Sequence, residues 1–171
     1  MDALEALMSR RSIRNYSDQP VTEDQLETVL RAAMAAPSAG NQQSWRFIVV
    51  TDEAQRETLS QATPYSGMIS RAPVALVICG DTRAEKHPGY WVQDCSAAIE
   101  NLLVAAHAIG LGAVWIGVHP VVERADNVRA ACGIPEGIEP MSMIALGHPL
   151  ETKPPSERYE PQYVHRDRWQ G

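Results

Sequence analysis

Residues 91 to 109, WVQDCSAAIENLLVAAHAI, set the tightest limit on what this chain can fold into. Their apolar positions recur at helical spacing but wrap around much of the circumference. A helix of that kind belongs in a deep core or against a second subunit, and its alanines let another backbone approach closely. The 171 residues, 44% of them hydrophobic, suffice for one domain of ordinary size or for a subunit whose core a partner completes. Residues 1–171 are expected to form a single domain, since no linker, internal repeat or low-complexity segment divides them.

The remaining pattern supplies layers for that helix to pack against. Ala3 to Met8 and Thr22 to Met34 have helical apolar spacing, with Thr22 and Gln25 at the separation of a capping box. AAPSAGNQQSW then signals an ordered turn, and WRFIVV a strand. Glu53 to Gln61 predicts a further helix, TPYSGMIS has no readable pattern, and PVALVICG has the continuous apolar character of a strand covered on both faces. GLGAVWIG turns into a short extended segment, Val121 to Ala131 predicts a helix ending near Gly133, and PMSMIALGHP predicts a last strand. The tail from Leu150 to Gly171 is rich in proline but keeps Tyr159, Tyr163, Val164 and Trp169, too aromatic for a typical disordered end. It reads as an arm packed across another surface. Helices and strands alternate without a clean βαβ repeat, which points to α+β in a mixed three-layer arrangement.

Charge and cysteine usage exclude several functions. Fifteen basic against 21 acidic residues give a net charge of -6, which argues against broad nucleic-acid or anionic-membrane binding. No apolar run approaches the roughly 20 residues of a membrane span, and Met1 to Arg10 lacks the order of a signal peptide, so a cytoplasmic protein is expected. Cys79, Cys95 and Cys132 are odd in number and widely spaced, as reduced and mostly buried thiols would be.

Two stretches carry candidate chemistry. In RRSIR, Arg10, Arg11 and Arg14 with Ser12 present charged forks and a hydroxyl suited to a phosphate, or else a solvated basic turn; Lys153 and Arg158 could join them. In PSAGNQQSW, Asn41, Gln42 and Gln43 could meet a flat polar edge or simply form the turn. Gly110, Gly112 and Gly117 do not make GxGxxG, and no GxxxxGK[ST] occurs, so the common nucleotide loops are absent. His87, His119 and His148 each precede proline and read as structural, and no serine lies in a GxSxG context. Asp94 and Glu100 point in different directions on a helix and do not make a glycosidase pair; Asp94 reads as a hydrogen-bonding or helix-start residue.

Taken in order, RRSIR, APSAGNQQSWRFIVV, NLLVAAHAIGLGAVWIG and ALGHP followed by Lys153 and Arg158 resemble the short, homodimeric members of the FMN-dependent nitroreductase family over almost the whole chain. The resemblance implies an α+β three-layer fold, a mixed but mainly antiparallel sheet flanked by helices, in an intertwined dimer with FMN between subunits. It also implies that residues 150–171 form an arm on the partner. Arg10 and Ser12 match positions that hold the FMN phosphate, Arg158 a later phosphate contact, and Arg11 a neighbouring position that meets the cofactor. Arg14 matches the basic residue at the N1 and O2 side of the flavin. Pro37, Ser38 and Asn41 match the loop on the flavin and ribityl chain, Gly117 a backbone N–H near N5, and Gly147 the turn near the phosphate. Ser156 stands where many relatives carry lysine, a place Lys153 could fill. The implied activity is hydride transfer from NADH or NADPH to flavin N5, then to a nitroaromatic or quinone by a ping-pong mechanism. No side chain is expected to act as acid, base or nucleophile, because the flavin carries the chemistry. Reductive dehalogenation, flavin degradation, ring dehydrogenation and a non-catalytic flavin-binding sensor or store are the alternatives on such a scaffold.

Overall fold

The computed structural model describes residues 1–170. Five helices, α1 (Ala3–Ser9), α2 (Glu23–Met34), α3 (Glu53–Ser60), α4 (Trp91–Ala108) and α5 (Val122–Cys132), accompany four strands, β1 (Trp45–Val50), β2 (Val74–Asp81), β3 (Gly112–Gly117) and β4 (Ile138–Gly147). The strands form one sheet in the order β1-β2-β4-β3, every neighbour antiparallel. Parallel pairing enters through an isolated bridge between Ser12 and Ala113.

The three layers follow from side-chain alternation on β2. Leu76 and Ile78 point into a core with Leu26 and Val29 of α2 and Ile99 and Leu102 of α4. Ala75, Val77 and Cys79 point the other way, against Leu59 of α3 and Val128 of α5. With helices on both faces, period-2 alternation no longer separates apolar from polar residues, which is why PVALVICG reads as a continuous apolar run.

Helix α4 occupies the position its composition demands. Trp91, Cys95, Ala98, Ile99, Leu102 and Ala106 are buried, and the opposite stripe through Ala97, Val104 and Ala105 is half-buried. The capping box forms at the start of α2: Gln25 N–H donates to Thr22 Oγ1, and Thr22 N–H to Gln25 Oε1 at 3.0 Å. TPYSGMIS, unreadable as a pattern, leads into a short 3₁₀ turn at Gly67–Arg71. The tail contributes one further 3₁₀ turn, Pro161–Tyr163, and its aromatics lie exposed, Trp169 at 80%.

Candidate functional site

The RRSIR segment has no regular structure of its own and is laced to two distant parts of the chain. Ile13 N–H donates to Ala113 O on the free edge of β3 at 3.0 Å, and the Tyr16 hydroxyl lies between the carbonyls of Ile13 and Ala145. Burial pushes the Tyr16 phenol well above its ordinary range, so it remains a neutral donor there. On the other side runs the start of the tail. Ser17 N–H donates to His148 O, Leu150 N–H to Asn15 O, Arg14 N–H to Glu151 Oε1 at 2.6 Å, and Lys153 Nζ to Ser12 O at 2.6 Å. Gly147 belongs to this seam: a Cβ there would come within 2.6 Å of Pro73 Cδ and 3.1 Å of the Tyr16 ring, so close packing already requires glycine.

The three arginines divide. Arg10 forms an ion pair with Glu100 at 3.5 Å, too long and misdirected for a hydrogen bond, so its buried Nε has no hydrogen-bond partner. Arg11 is turned into backbone carbonyls, Nε to Pro154 O at 3.0 Å and Nη1 to Met8 O at 3.1 Å, and its Nη2 is buried without a partner. Beside them His107 Nε2 lies 2.8 Å from Ser9 Oγ. Burial, with the charges of Arg10 and Arg11, lowers the His107 pKa, so the imidazole stays neutral and adds no further charge beside them.

Arg14 points elsewhere, into a cleft of about 390 Å³ that it shares with Tyr65, Met68, Trp115 and Gly117. Strand geometry decides what Gly117 offers. Because Ala113 O faces the Ile13 N–H, the alternation along β3 turns the backbone groups of Ala113, Trp115 and Gly117 away from β4. The edge from Ala113 to Gly117 spans about 13 Å at strand rise. Ser12 stands at one end of it, and the cleft with Arg14 and Gly117 at the other.

The Pro37–Asn41 stretch is shaped from beneath by Asp94, a buried carboxylate in the first turn of α4. Its Oδ1 accepts from Ala39 N–H at 2.9 Å, and its Oδ2 from Gln42 Nε2 at 2.7 Å and the Ser44 hydroxyl at 3.0 Å. Gln42 Oε1 in turn accepts from the N–H groups of Lys86 and His87. The loop so held contains three residues at positive φ, Gly40 (52°), Asn41 (55°) and Gln43 (51°). Such a run persists only where surrounding contacts over-determine it. A Cβ at Gly40 would lie 2.5 Å from Nε2 of the exposed His87 side chain, which would have to swing aside, so the positive φ is the stronger reason for glycine there.

Arg11 and Ser12 thus meet Pro154 and Lys153 along one seam in which Gly147 packs against Tyr16, Arg10 turns to Glu100 of α4, and Arg14 and Gly117 share one cleft. Pro37, Ser38 and Asn41 stand on the loop moored to Asp94. Arg158 is not brought to any of these; it is exposed, with Nε 2.9 Å from Ser156 Oγ. Gln42 is a support inside the loop rather than an open edge for a ligand. Sequence reasoning placed Asp94 as a hydrogen-bonding residue but missed its reach, for which the signal was one acid on the inner face of an otherwise apolar helix. Glu151 and Tyr65 carried no signal at all.

Known proteins share this fold. The nitroreductase family model matches residues 7–64 and 60–148. A relative from Methanothermobacter thermautotrophicus, provisionally named an NADH dehydrogenase/NAD(P)H nitroreductase, is 45% identical over 99% of this chain and 88% of its own length. A crystal structure from Parabacteroides distasonis under the same provisional name superposes with a TM-score of 0.94 at 38% identity, covering 98% of each chain. A provisional nitroreductase from Desulfovibrio desulfuricans, solved in complex with FMN, has a TM-score of 0.88 at 30% identity over 99% of each chain. With most of its length matched by the family model and a relative this similar along nearly the whole chain, the protein belongs to the nitroreductase family.

Proposed function

We propose that the chain is one subunit of a homodimeric FMN-dependent oxidoreductase that uses NADH or NADPH to reduce nitroaromatic or quinone acceptors. The observation that carries this reading is the β3 edge, with an anion-ready arginine cluster at one end and a cleft holding Arg14 and outward backbone of Gly117 at the other. The buried atoms Arg10 Nε and Arg11 Nη2, both lacking hydrogen-bond partners, are what a phosphate would complete.

When bound, FMN supplies the two-electron chemistry, accepting hydride at N5 from the nicotinamide and, after that product leaves, reducing the acceptor at the same face. The protein's own groups bind and tune. Arg10 and the Ser12 hydroxyl hold the phosphate, with Lys153 fixing the Ser12 backbone from behind rather than standing free. The permanent charge of Arg14 near N1 and O2 stabilises the reduced ring more than the oxidised one. The N–H of Gly117 orients N5, and Pro37, Ser38 and Asn41 present a rigid polar loop to the ribityl chain and ring.

A second copy accounts for the surfaces left over. Leu4, Leu7 and Met8 on α1 and Tyr159, Tyr163 and Trp169 in the tail are exposed, more apolar area than a monomer comfortably carries. The free edge of β1 is bordered by a groove lined by Leu26, Leu30, Met34 and Val49, where the arm 150–171 of a partner would cover an open strand. The loop is moored at the first turn of α4 and Ser9 at the last, about 20 Å apart along the axis. A partner related by a two-fold across α4 exchanges those ends and sets one subunit's loop beside the other's arginines. Burial pushes the thiols of Cys79 and Cys95 up to about 12, leaving them inert and reduced, as suits the cytoplasm.

The test is an absorbance spectrum of the purified protein with chromatography of any released flavin, followed by anaerobic addition of NADH or NADPH and then a quinone. FMN is expected, bleached by one donor and restored by the quinone. A protein that neither holds nor takes up FMN would overturn the reading.

A further inference from the structure

Arg124, in the first turn of α5, has no assigned part in the site described so far. Its Nη1 donates to Gly117 O at 3.2 Å, and its Cζ lies 5.2 Å from the centroid of the Tyr65 ring. Three separate stretches therefore meet at one guanidinium: the unpatterned middle segment, the end of β3 and the start of α5. The contact holds Tyr65, 65% exposed, as an outer wall of the cleft with Arg14 and Gly117. Neither Arg124 nor Arg14 makes an ion pair among the described residues, and no carboxylate lines that cleft. Arg124 itself lines the adjoining cleft, together with its neighbour Glu123, Gln61 and Asn127, and borders the Arg14 cleft through its contacts with Gly117 O and the Tyr65 ring. In a molecule of net charge -6, two guanidinium groups and the Tyr65 ring thus border this cleft, with Glu123 beside Arg124 and Glu151 at the Arg14 backbone as the nearby carboxylates.

We infer that Arg124 and Tyr65 are specificity-determining residues that select a planar aromatic acceptor bearing an anionic substituent, such as a carboxylate. One of the five guanidinium N–H groups is occupied by Gly117, which sets the orientation of the fork; the others remain for a carboxylate. The substrate ring packs beside Tyr65 and Trp115 while its anion reaches the rim. With Arg14 directed at the flavin, the rim cation is the one left to read the acceptor. This deepens the proposed function and rests on it.

The test needs no turnover. Oxidised, FMN-loaded protein without reductant is titrated with 4-nitrobenzoate and with its uncharged near-isostere 4-nitrobenzamide, by flavin difference spectra and calorimetry. The benzoate is expected to bind about tenfold tighter, a preference that falls as salt rises. Arg124→Gln should lose that preference with benzamide affinity within about twofold, and Arg124→Lys, which keeps the charge but not the planar fork, should retain part of it. Tyr65→Leu should weaken both ligands alike. Equal binding of the two ligands by the unmodified protein overturns the inference, as does a preference that survives in Arg124→Gln. A protein that takes up no FMN fails the preceding section instead, and the flavin spectrum shows which has failed.

Discussion

The seam at Arg10–Tyr16 and the loop at Pro37–Ser44 both face the proposed cofactor, and they are held in opposite ways. The seam is fixed mostly through backbone groups contributed by residues 148–154, which leaves guanidinium atoms of Arg10 and Arg11 without hydrogen-bond partners. The loop is fixed by a single buried carboxylate gathering one amide, one carboxamide and one hydroxyl. Each arrangement suits what it presents. Arg11 is anchored through neutral carbonyls and keeps its charge for an anion, while Arg10 has Glu100 of α4 as its carboxylate neighbour at 3.5 Å. A loop with consecutive residues in the left-handed region offers shape, and a buried charge beneath it supplies the stabilisation that shape requires.

The largest expected effect follows from that concentration of support in one residue. Asp94→Ala leaves Ala39 N–H, the Gln42 amide and the Ser44 hydroxyl buried without acceptors, a loss of about 3–5 kcal/mol by the usual cost of such orphaned groups. Asp94→Asn keeps one acceptor and should lose roughly half as much. Urea unfolding midpoints measure both. If Asp94→Ala cost less than about 1 kcal/mol, the loop would be supported by something other than its buried hydrogen bonds.

The seam should divide rather than collapse. Arg10→Ala removes a charge-assisted contact to phosphate and should weaken FMN binding by about 10- to 100-fold, whereas Arg158→Ala, remote from the cluster, should do less. Arg14→Gln should spare more of that affinity and lower the flavin midpoint potential, by roughly 30 mV for each 1.4 kcal/mol of differential stabilisation lost. Fluorescence titration and redox equilibration separate the two. Equal losses of affinity with an unmoved potential would contradict the role given to Arg14.

What could be read without the structure tracks how locally each feature is determined. The α2 capping box spans three residues, and the β2 run needs only the knowledge that both faces are covered, so both were legible. The family resemblance also assigned Arg10 and Ser12 to the phosphate and Arg14 and Gly117 to the ring of FMN, but not their common position along the β3 edge. The contacts that organise the sites were not legible, because they join distant residues: Arg14 to Glu151 across 137 positions, Lys153 to Ser12 across 141, Asp94 to Ala39 across 55. Tyr65 escaped for a different reason. Its segment is a turn held by Ser66 and Thr63 hydroxyls, and a 3₁₀ turn of five residues is too short to show a period.

The smallest effect concerns Glu151, the carboxylate that the tail contributes to the seam. Glu151 sits below the ordinary glutamate value of 4.5, chiefly because it accepts the Arg14 N–H and also because Lys153 lies 3.5 Å away. Since its folded pKa is depressed, its contribution is fully present above about 4.5 and is lost as pH falls through the lower folded value. Glu151→Gln keeps an acceptor for the Arg14 N–H but removes the charge. At pH 7 the variant should be less stable by under about 1 kcal/mol, as expected of a partly exposed pair, and the gap should close as pH falls below the depressed folded value. Urea midpoints of both proteins at several pH values measure it, on FMN-free samples so that cofactor binding does not mask the difference. A gap that stays constant as the pH is lowered through the acid range would mean that the Glu151 side chain acts in the seam by shape and hydrogen bonding alone, leaving the Asp94 loop as the half of the site whose support depends on charge.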